Sequence, residues 1–234
     1  MEEEFKWGGL NTLLLNPHPE TELLIVYLFL DIIYIEFILI KKLFFRGSCS
    51  MRIIAGESKG RKLKSIKGTS TRPTLDRVKE SLFNIITPYI LVDRGLDLFA
   101  GFGGLGLEAL SRGVRTLVFV EKDFRNSKVI KENISSCGFE DRAKLQTEDV
   151  MRFLENTSDK FDIIFMDPPY KENLVEKSLA LIDKNDLLNQ YGVIVAEHES
   201  NHEIDMSEFS KSFTQLRHKV YGDSAITVLS KGGQ

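Results

Sequence analysis

The sequence predicts an α/β protein in which helices cover both faces of a mostly parallel sheet. Three observations support this prediction. Short apolar runs alternate with segments of helical periodicity from residue 51 onward. Two of the runs end in loops rich in functional groups, Gly101–Gly106 and Asp167-Pro168-Pro169-Tyr170. The final two runs are joined around Gly222, which indicates an antiparallel pair at one edge of the sheet.

The first predicted element is a basic β-hairpin. Arg52–Ala55 and Lys62–Ser65 are short strand-like runs, and Gly56 and Gly60 lie at the turn between them. A stiff segment, Thr71–Thr74, then leads into a helix. That helix carries its apolar residues on one face, at Val78, Leu82 and Ile85 or Ile86.

The remaining elements alternate between strands and helices. Five segments are predicted central strands: Leu96–Phe99, Thr116–Val120, Lys144–Gln146, Ile163–Met166 and Val193–Ala196. Helical segments lie between them, among them Leu105–Arg112, Lys128–Ser136 and Leu174–Ile182. Two more runs, Gln215–Tyr221 and Ala225–Leu229, form the predicted antiparallel edge.

Residues 1–50 differ in composition from the rest of the chain. Leu23–Ile40 is a run of eighteen residues, apolar except for Asp31 and Glu36. This length suits a membrane-spanning helix, although each acid would cost roughly 2.5–3.5 kcal/mol at the helix centre. An added core helix and a non-native or disordered extension are the other interpretations. We expect the extension, with Met51 as the natural start, and therefore a single folded domain at 51–234.

Because the chain has no net positive charge, any nucleic-acid contact must come from a local basic segment. The chain has 234 residues, 42% of them hydrophobic, and a formal charge of −3, which fits one domain with a full core. Residues 51–80 nevertheless contain nine Lys or Arg against three Asp or Glu. This segment is either an RNA-binding surface or an ordinary solvated face. Its candidate RNA contacts are Arg52, Arg61, Lys62, Lys64, Arg72 and Arg77.

Cysteine and histidine usage predicts no metal site. The two cysteines, Cys49 and Cys137, have no pairing pattern, and the four histidines have no ligand spacing. A reducing, cytoplasmic setting fits this composition. We expect a monomer without stable membrane association.

The loop Asp167-Pro168-Pro169-Tyr170 ends the apolar run Phe161–Met166. Two prolines cannot extend a strand, so the chain leaves the sheet there with a stiff backbone. Asp167 therefore lies at the carboxyl end of a strand, where open α/β sheets bind their ligands. A carboxylate, the Pro168 carbonyl and the Tyr170 ring can hold a flat, nitrogen-bearing ring by its amino group. The loop predicts transfer of a methyl group to a base.

A second loop supplies a cofactor site. Gly101, Gly103 and Gly106 connect a strand to a helix with the spacing G-x-G-x-x-G, and they allow close approach of the backbone to a ligand. The next strand ends at Glu121 and Asp123, and an acid there can accept the ribose hydroxyls of NAD or of S-adenosylmethionine (SAM). The Asp167 loop favours SAM, because hydride transfer has no use for it. An NAD-binding oxidoreductase is the alternative of a different class.

Several segments match the pattern of a known family. They are Met51–Gly56, Gly60–Leu63, Arg72–Asn84, Asp97–Gly101, Leu105–Gly113, Val120–Asp123 and Asp167–Tyr170. Together they resemble the RsmD family of bacterial small-subunit ribosomal RNA guanine-N2 methyltransferases, over nearly all of residues 51–234 and none of 1–50. The resemblance implies the Rossmann-like class I SAM-dependent methyltransferase fold with a seven-stranded sheet. It also implies guanine 966 of 16S rRNA, free or in the small ribosomal subunit, as the target.

The resemblance implies roles for individual cofactor-site residues. The residues expected to bind SAM are Asp97, Gly101, Gly103, Gly106, Glu121, Lys122 and Asp149. Among them Asp149 is open to a second interpretation, as the N-cap of the following helix. Arg72 suits either the SAM carboxylate or an RNA phosphate. Phe102 departs from the family pattern, which usually has a small residue there, so its ring either narrows the cofactor pocket or points outward.

The predicted catalytic residues are Asp167, Pro168 and Tyr170. The Asp167 carboxylate and the Pro168 carbonyl would accept the N–H groups of the guanine amino group, while Tyr170 stacks on the base. Positioning and charge placement would then carry most of the rate. The alternatives are an amino-methyltransferase for adenine, cytosine or protein glutamine, the NAD oxidoreductase, and a membrane-tethered binding protein without activity.

Overall fold

The computed structural model describes residues 51–66, 74–169 and 173–232, and for residues 74–77 only the backbone. The interpretations of residues 1–50, including a membrane anchor, lie outside these described residues. Within the described ranges, no helix is long and apolar enough to cross a membrane.

In the part of the chain that the structure describes, seven strands form one sheet, as the sequence predicted. They are β1 (Arg94–Leu98), β2 (Thr116–Val120), β3 (Ala143–Gln146), β4 (Phe161–Met166), β5 (Leu188–Glu199), β6 (Phe213–Tyr221) and β7 (Ser224–Lys231). The strand order is β3-β2-β1-β4-β5-β7-β6. The first five strands pair in parallel, whereas β7 is antiparallel to both β5 and β6. The parallel sheet with an antiparallel edge is therefore confirmed.

Five described helices connect and cover these strands. They are α1 (Thr74–Ile86), α2 (Gly104–Arg112), α3 (Phe124–Cys137), α4 (Val150–Asn156) and α5 (Leu174–Lys184). Alternation along β4 shows how the sheet is covered: Ile163 and Phe165 pack into one apolar cluster, and Ile164 and Met166 into another. The first cluster contains residues of α1, α2 and α3, and the second contains residues of α4 and α5.

Element bounds differ from the predicted ones where local geometry departs from regularity. β1 ends at Leu98 rather than Phe99, because Phe99 adopts a positive φ of 60° at the turn into the glycine loop. β5 begins five residues before the predicted Val193, across an irregularity at Tyr191, whose φ is 64°. The predicted amino-terminal hairpin has one antiparallel bridge, Arg52↔Lys62, in place of two regular strands.

A buried acid attaches this amino-terminal segment to the domain. Glu108 on α2 is fully buried and accepts hydrogen bonds from the backbone N–H groups of Ile54 (2.8 Å) and Ala55 (3.0 Å). Its carboxylate also pairs with Lys79 of α1 at 3.3 Å and with Arg112 at 2.8 Å. Two cations and two N–H groups compensate the cost of burying this charge, so the bridged segment is held against α1 and α2.

Candidate active site

The ends of four parallel strands bring the predicted site residues to one edge of the sheet. Leu98 at the end of β1 is in register with Val120 of β2 and Met166 of β4. Met166 is in turn in register with Ala196 of β5. The residues that follow these strand ends are the places where an open parallel sheet binds ligands.

The glycine loop forms a tight turn between β1 and α2. Gly103 is the residue before α2 and has a φ of 85°, a conformation that residues with a Cβ rarely adopt. A Cβ on Gly106 would lie 2.4 Å from the Phe119 ring and 2.9 Å from Oδ2 of Asp97. Glycine at position 106 therefore permits α2 to pack directly against β1 and β2.

Two carboxylates already bind backbone N–H groups of this loop. The Gly106 N–H donates to Oδ2 of Asp97 at 2.9 Å, and the Gly101 N–H donates to Oε2 of Glu121 at 2.8 Å. The other oxygen of Glu121 accepts from the Asp123 N–H at 2.7 Å. Both acids are buried, with 2% and 7% exposure. One N–H group in the first turn of α2 and one in the loop before it are thus already bound to negative groups.

A cavity of about 110 Å³ opens beside the glycine loop. The loop side is formed by residues from Phe99 to Leu105, and the helix side by residues of α1, including Lys79. Three carboxyl groups line the same cavity: Asp97, Asp167 and Glu197. When these groups are ionised, the cavity attracts a cationic ligand and repels an anionic one.

The three acids of the cavity have raised pKa values. Burial, partly opposed by the hydrogen bond from Gly106 and reinforced by the charge of Glu121, raises the pKa of Asp97 to about 7. Desolvation by the surrounding protein, followed by the negative charges of Glu197 and Asp97, raises the pKa of Asp167 well above its ordinary value. The Asp167 side chain is nevertheless exposed to the open cavity. Burial also raises the pKa of Glu197, against a hydrogen bond from Ser224. Groups of like charge in one cleft are typical of functional sites.

The structure places the other predicted cofactor residues outside this cavity. Glu121 lies at the end of β2, and Lys122 next to it is exposed. The Asp149 carboxylate caps α4, accepting from the Met151 N–H at 2.9 Å, as the N-cap interpretation predicted. That capping role does not prevent Asp149 from also accepting a ligand hydrogen bond from its exposed position.

Phe102 lies in the wall of the cavity. Its ring covers Gly104, where a Cβ would come within 2.7 Å of ring atoms, and it packs partly against the apolar cluster of α1 to α3. Phe102 therefore forms part of the cavity wall, which fits the first of the two possibilities left by the sequence.

The predicted RNA contacts are only partly described. Arg52, Arg61, Lys62 and Lys64 are exposed, and Lys64 forms an ion pair with Glu132 at 2.9 Å. Arg61 and Lys62 line an open depression of about 610 Å³ together with residues 57–60 and Ser136. Arg72 and Tyr170 lie outside the described residues, and the side chain of Arg77 is likewise not described.

Sequence reasoning missed Glu197, Lys79 and Asn133. Glu197 directly follows a predicted strand, as Glu121 does, and this position could have identified it as a candidate site residue. Lys79 belongs to the basic segment 51–80, which the sequence predicts to be a surface, yet it is 5% exposed. Asn133 is 1% exposed on a helix that the sequence had already predicted. No group of three or more potential metal ligands is found among the residues that the structure describes.

The family model described as conserved hypothetical protein 95 matches residues 51–230. The chain belongs to this family. Ribosomal RNA small subunit methyltransferase D of Haemophilus influenzae is 38% identical over 176 residues, which are 74% of this chain and 89% of that relative. Its namesake in Escherichia coli K12 is 34% identical over 188 residues, covering 80% and 93%. The RsmD resemblance is thereby confirmed.

A solved structure agrees with this assignment. The structure of the methyltransferase-like protein yhhF of Escherichia coli superposes on this chain with a TM-score of 0.69 and 33% identity. The match covers 79% of this chain and 99% of that structure. The Rossmann-like methyltransferase fold predicted from the resemblance is therefore the fold of this protein.

Proposed function

We propose that this protein is a SAM-dependent methyltransferase that modifies the exocyclic N2 of a guanine in small-subunit ribosomal RNA, with guanine 966 of 16S rRNA as the target. The observation that carries the proposal is the position of Asp167 and Pro168. They follow β4 directly, and Asp167 lines the acidic cavity beside the glycine loop. The names of the two methyltransferase D relatives support ribosomal RNA as the substrate.

The charge of the cavity favours SAM over NAD. SAM carries a sulfonium and an ammonium group, which suit a cavity lined by Asp97, Asp167 and Glu197. The diphosphate of NAD would meet the same three acids. It would also find the N–H groups of Gly101 and Gly106 already bound to Glu121 and Asp97. The NAD oxidoreductase is therefore the weaker alternative.

The cavity residues fit a positioning mechanism. When bound, SAM supplies a methyl group on a positively charged sulfur. Asp167 and the Pro168 carbonyl accept the two N–H groups of the guanine amino group, which directs the nitrogen lone pair at the methyl carbon. A nitrogen–carbon bond forms as the carbon–sulfur bond breaks. Asp167 stabilises the positive charge that develops on nitrogen and accepts the departing proton.

Methyl transfer to ribosomal RNA tests the proposal. The full chain is incubated with SAM carrying a labelled methyl group and with either naked 16S rRNA or small subunits, and the RNA is digested to nucleosides. We expect N2-methylguanosine, with Asp167→Asn as the control in which labelling is strongly reduced. N6-methyladenosine or N4-methylcytidine would favour the other amino-methyltransferases, and the absence of labelled RNA with either substrate would contradict the proposal.

A further inference from the structure

Glu197 lies beside Asp167 on the neighbouring strand β5, two residues before that strand ends. The last registered pair of β4 and β5 is Met166↔Ala196, so Asp167 and Glu197 are the next residues along two adjacent parallel strands. Phe165 and Val195, two residues earlier, both pack into the cluster of α1 to α3. Because residues two apart in a strand face the same side, Asp167 and Glu197 emerge on one side of the sheet, and both line the cavity.

Glu197 is almost buried and lines the cavity. The residue is 9% exposed and accepts a hydrogen bond from the Ser224 side chain. Lys79 lines the same cavity, but its Nζ contacts Glu108 at 3.3 Å and donates to the Arg52 carbonyl at 2.7 Å. Two neighbouring carboxylates in a cleft repel one another, so the pair is best satisfied by a ligand that donates several hydrogen bonds.

The strand order places Glu197 on the side of Asp167 that faces away from the glycine loop. The glycine loop follows β1, and β4 lies between β1 and β5. At the usual strand spacing of about 4.8 Å, β5 is roughly 10 Å from β1, with Asp167 in the middle. A methyl donor held over the glycine loop lies on one side of Asp167. Glu197 lies on the other side, where the base must enter.

We infer that Glu197 is a specificity-determining residue that accepts the N1–H of the target guanine while Asp167 and Pro168 hold its amino group. This inference rests on the proposed function. Guanine is the base whose pairing edge donates N1–H and both amino hydrogens in one row. Adenine, cytosine and a glutamine amide each place an acceptor beside the amino group. That acceptor would face the Glu197 carboxylate and be repelled.

The test removes the N1 hydrogen of the target base and keeps its amino group. Small-subunit rRNA is prepared with either guanosine or 2-aminopurine riboside at the methylated position, since 2-aminopurine keeps the amino group but has an acceptor at N1. For the parent we expect guanosine to be preferred by about a hundredfold or more in kcat/KM and in competitive binding. For Glu197→Gln, whose amide can donate to that acceptor, we expect the preference to fall below about tenfold.

Glu199→Gln is the matched control, because Glu199 lies on the same strand but does not line the cavity. It should keep the parent's preference. The inference is overturned if Glu197→Gln discriminates between the two bases as strongly as the parent, or binds neither RNA. A parent that methylates neither RNA would instead contradict the proposed function, and the binding preference would still test Glu197.

Discussion

The side-chain amide of Asn133 donates a hydrogen bond of 2.9 Å to the carbonyl oxygen of Phe102 in the glycine loop. The same side chain pairs twice with the backbone of Lys64, donating to its carbonyl at 2.9 Å and accepting from its N–H at 2.8 Å. Asn133 is 1% exposed, so these bonds are shielded from water. One buried residue thus ties the bridged basic segment to the loop that is proposed to bind SAM.

Replacing Asn133 by alanine should lower the free energy of unfolding by about 2–3 kcal/mol, because three backbone groups lose a buried partner. Denaturant unfolding measures this change. Glu132→Ala is the matched control, since Glu132 also contacts Lys64, but through side chains that are 67% and 40% exposed. Its loss should stay below about 1 kcal/mol. Equal losses in the two variants would count against the role given to Asn133.

Glu108→Ala should be among the most destabilising single substitutions, at about 3–5 kcal/mol. The change leaves the cation of Lys79 buried beside its lost partner and removes the acceptor of two N–H groups of the bridged segment. Denaturant unfolding again gives the measurement. Glu57→Ala serves for comparison, because Glu57 pairs with Arg142 at the exposed surface. A Glu108→Ala variant as stable as Glu57→Ala would refute this prediction.

The raised pKa of Asp97 makes the stability of the ligand-free protein depend on pH. Between pH 3.8 and about 7 the folded protein binds a proton on Asp97 that the unfolded chain has lost. Folding stability is therefore highest at the acidic end of this window and falls as pH rises through it. At roughly 1.4 kcal/mol per pH unit, the loss reaches about 4 kcal/mol above pH 7.

The comparison of the parent with Asp97→Asn isolates this effect. The variant should gain stability relative to the parent as pH rises from about 4 to about 7, and the difference should then level off. Unfolding midpoints across that range supply the measurement. A difference that is constant with pH would show that Asp97 does not titrate in this window. Asp97→Asn should also bind SAM more weakly at pH 8, because a negative charge near the cationic ligand is gone.

The sequence predicted the parts of the site that depend on local pattern. Gly106 and the Asp167 loop follow apolar runs, and the alternation of strands and helices implied that their strand ends share one edge. The pairing of Asp167 with Glu197 could not be predicted in this way, because it depends on which strands are neighbours and on their register. The burial of Lys79 likewise depends on Glu108, 29 residues away in the chain but 3.3 Å away in space.

The basic segment gives a prediction about salt. Arg61 and Lys62 are exposed and line one open depression, so the double variant Arg61→Ala/Lys62→Ala should raise KM for the RNA with little change in kcat. If both contact phosphates, the slope of log affinity against log salt should become shallower by about 1.4–1.8. Lys160→Ala, which removes an exposed cation paired with Asp186, is the control. An unchanged salt slope in the double variant would mean that Arg61 and Lys62 do not contact RNA phosphates.

The last prediction concerns the chemical step at Asp167. Asp167→Asn keeps the shape of the side chain but removes its charge, so turnover should fall by about two orders of magnitude or more, the usual effect of losing one electrostatic stabiliser. SAM affinity should fall far less than turnover, because Asp97 and Glu197 still line the cavity and the other proposed cofactor contacts lie on the glycine loop and Glu121. Asp159→Asn, at an exposed ion pair with Arg94, should leave turnover unchanged.

The pH profile distinguishes this role from a structural one. Protonation removes the acceptor that Asp167 offers to the amino group, and the pKa of Asp167 is raised by desolvation and by the charges of Glu197 and Asp97. Turnover should therefore decline toward acid at a pH well above the ordinary carboxyl range, and Glu197→Gln should move that decline to lower pH by removing a neighbouring negative charge. If the decline stays at the same pH in Glu197→Gln, a group other than Asp167 causes it. Asp97, whose pKa is raised to about 7, is then the next residue to replace by mutation.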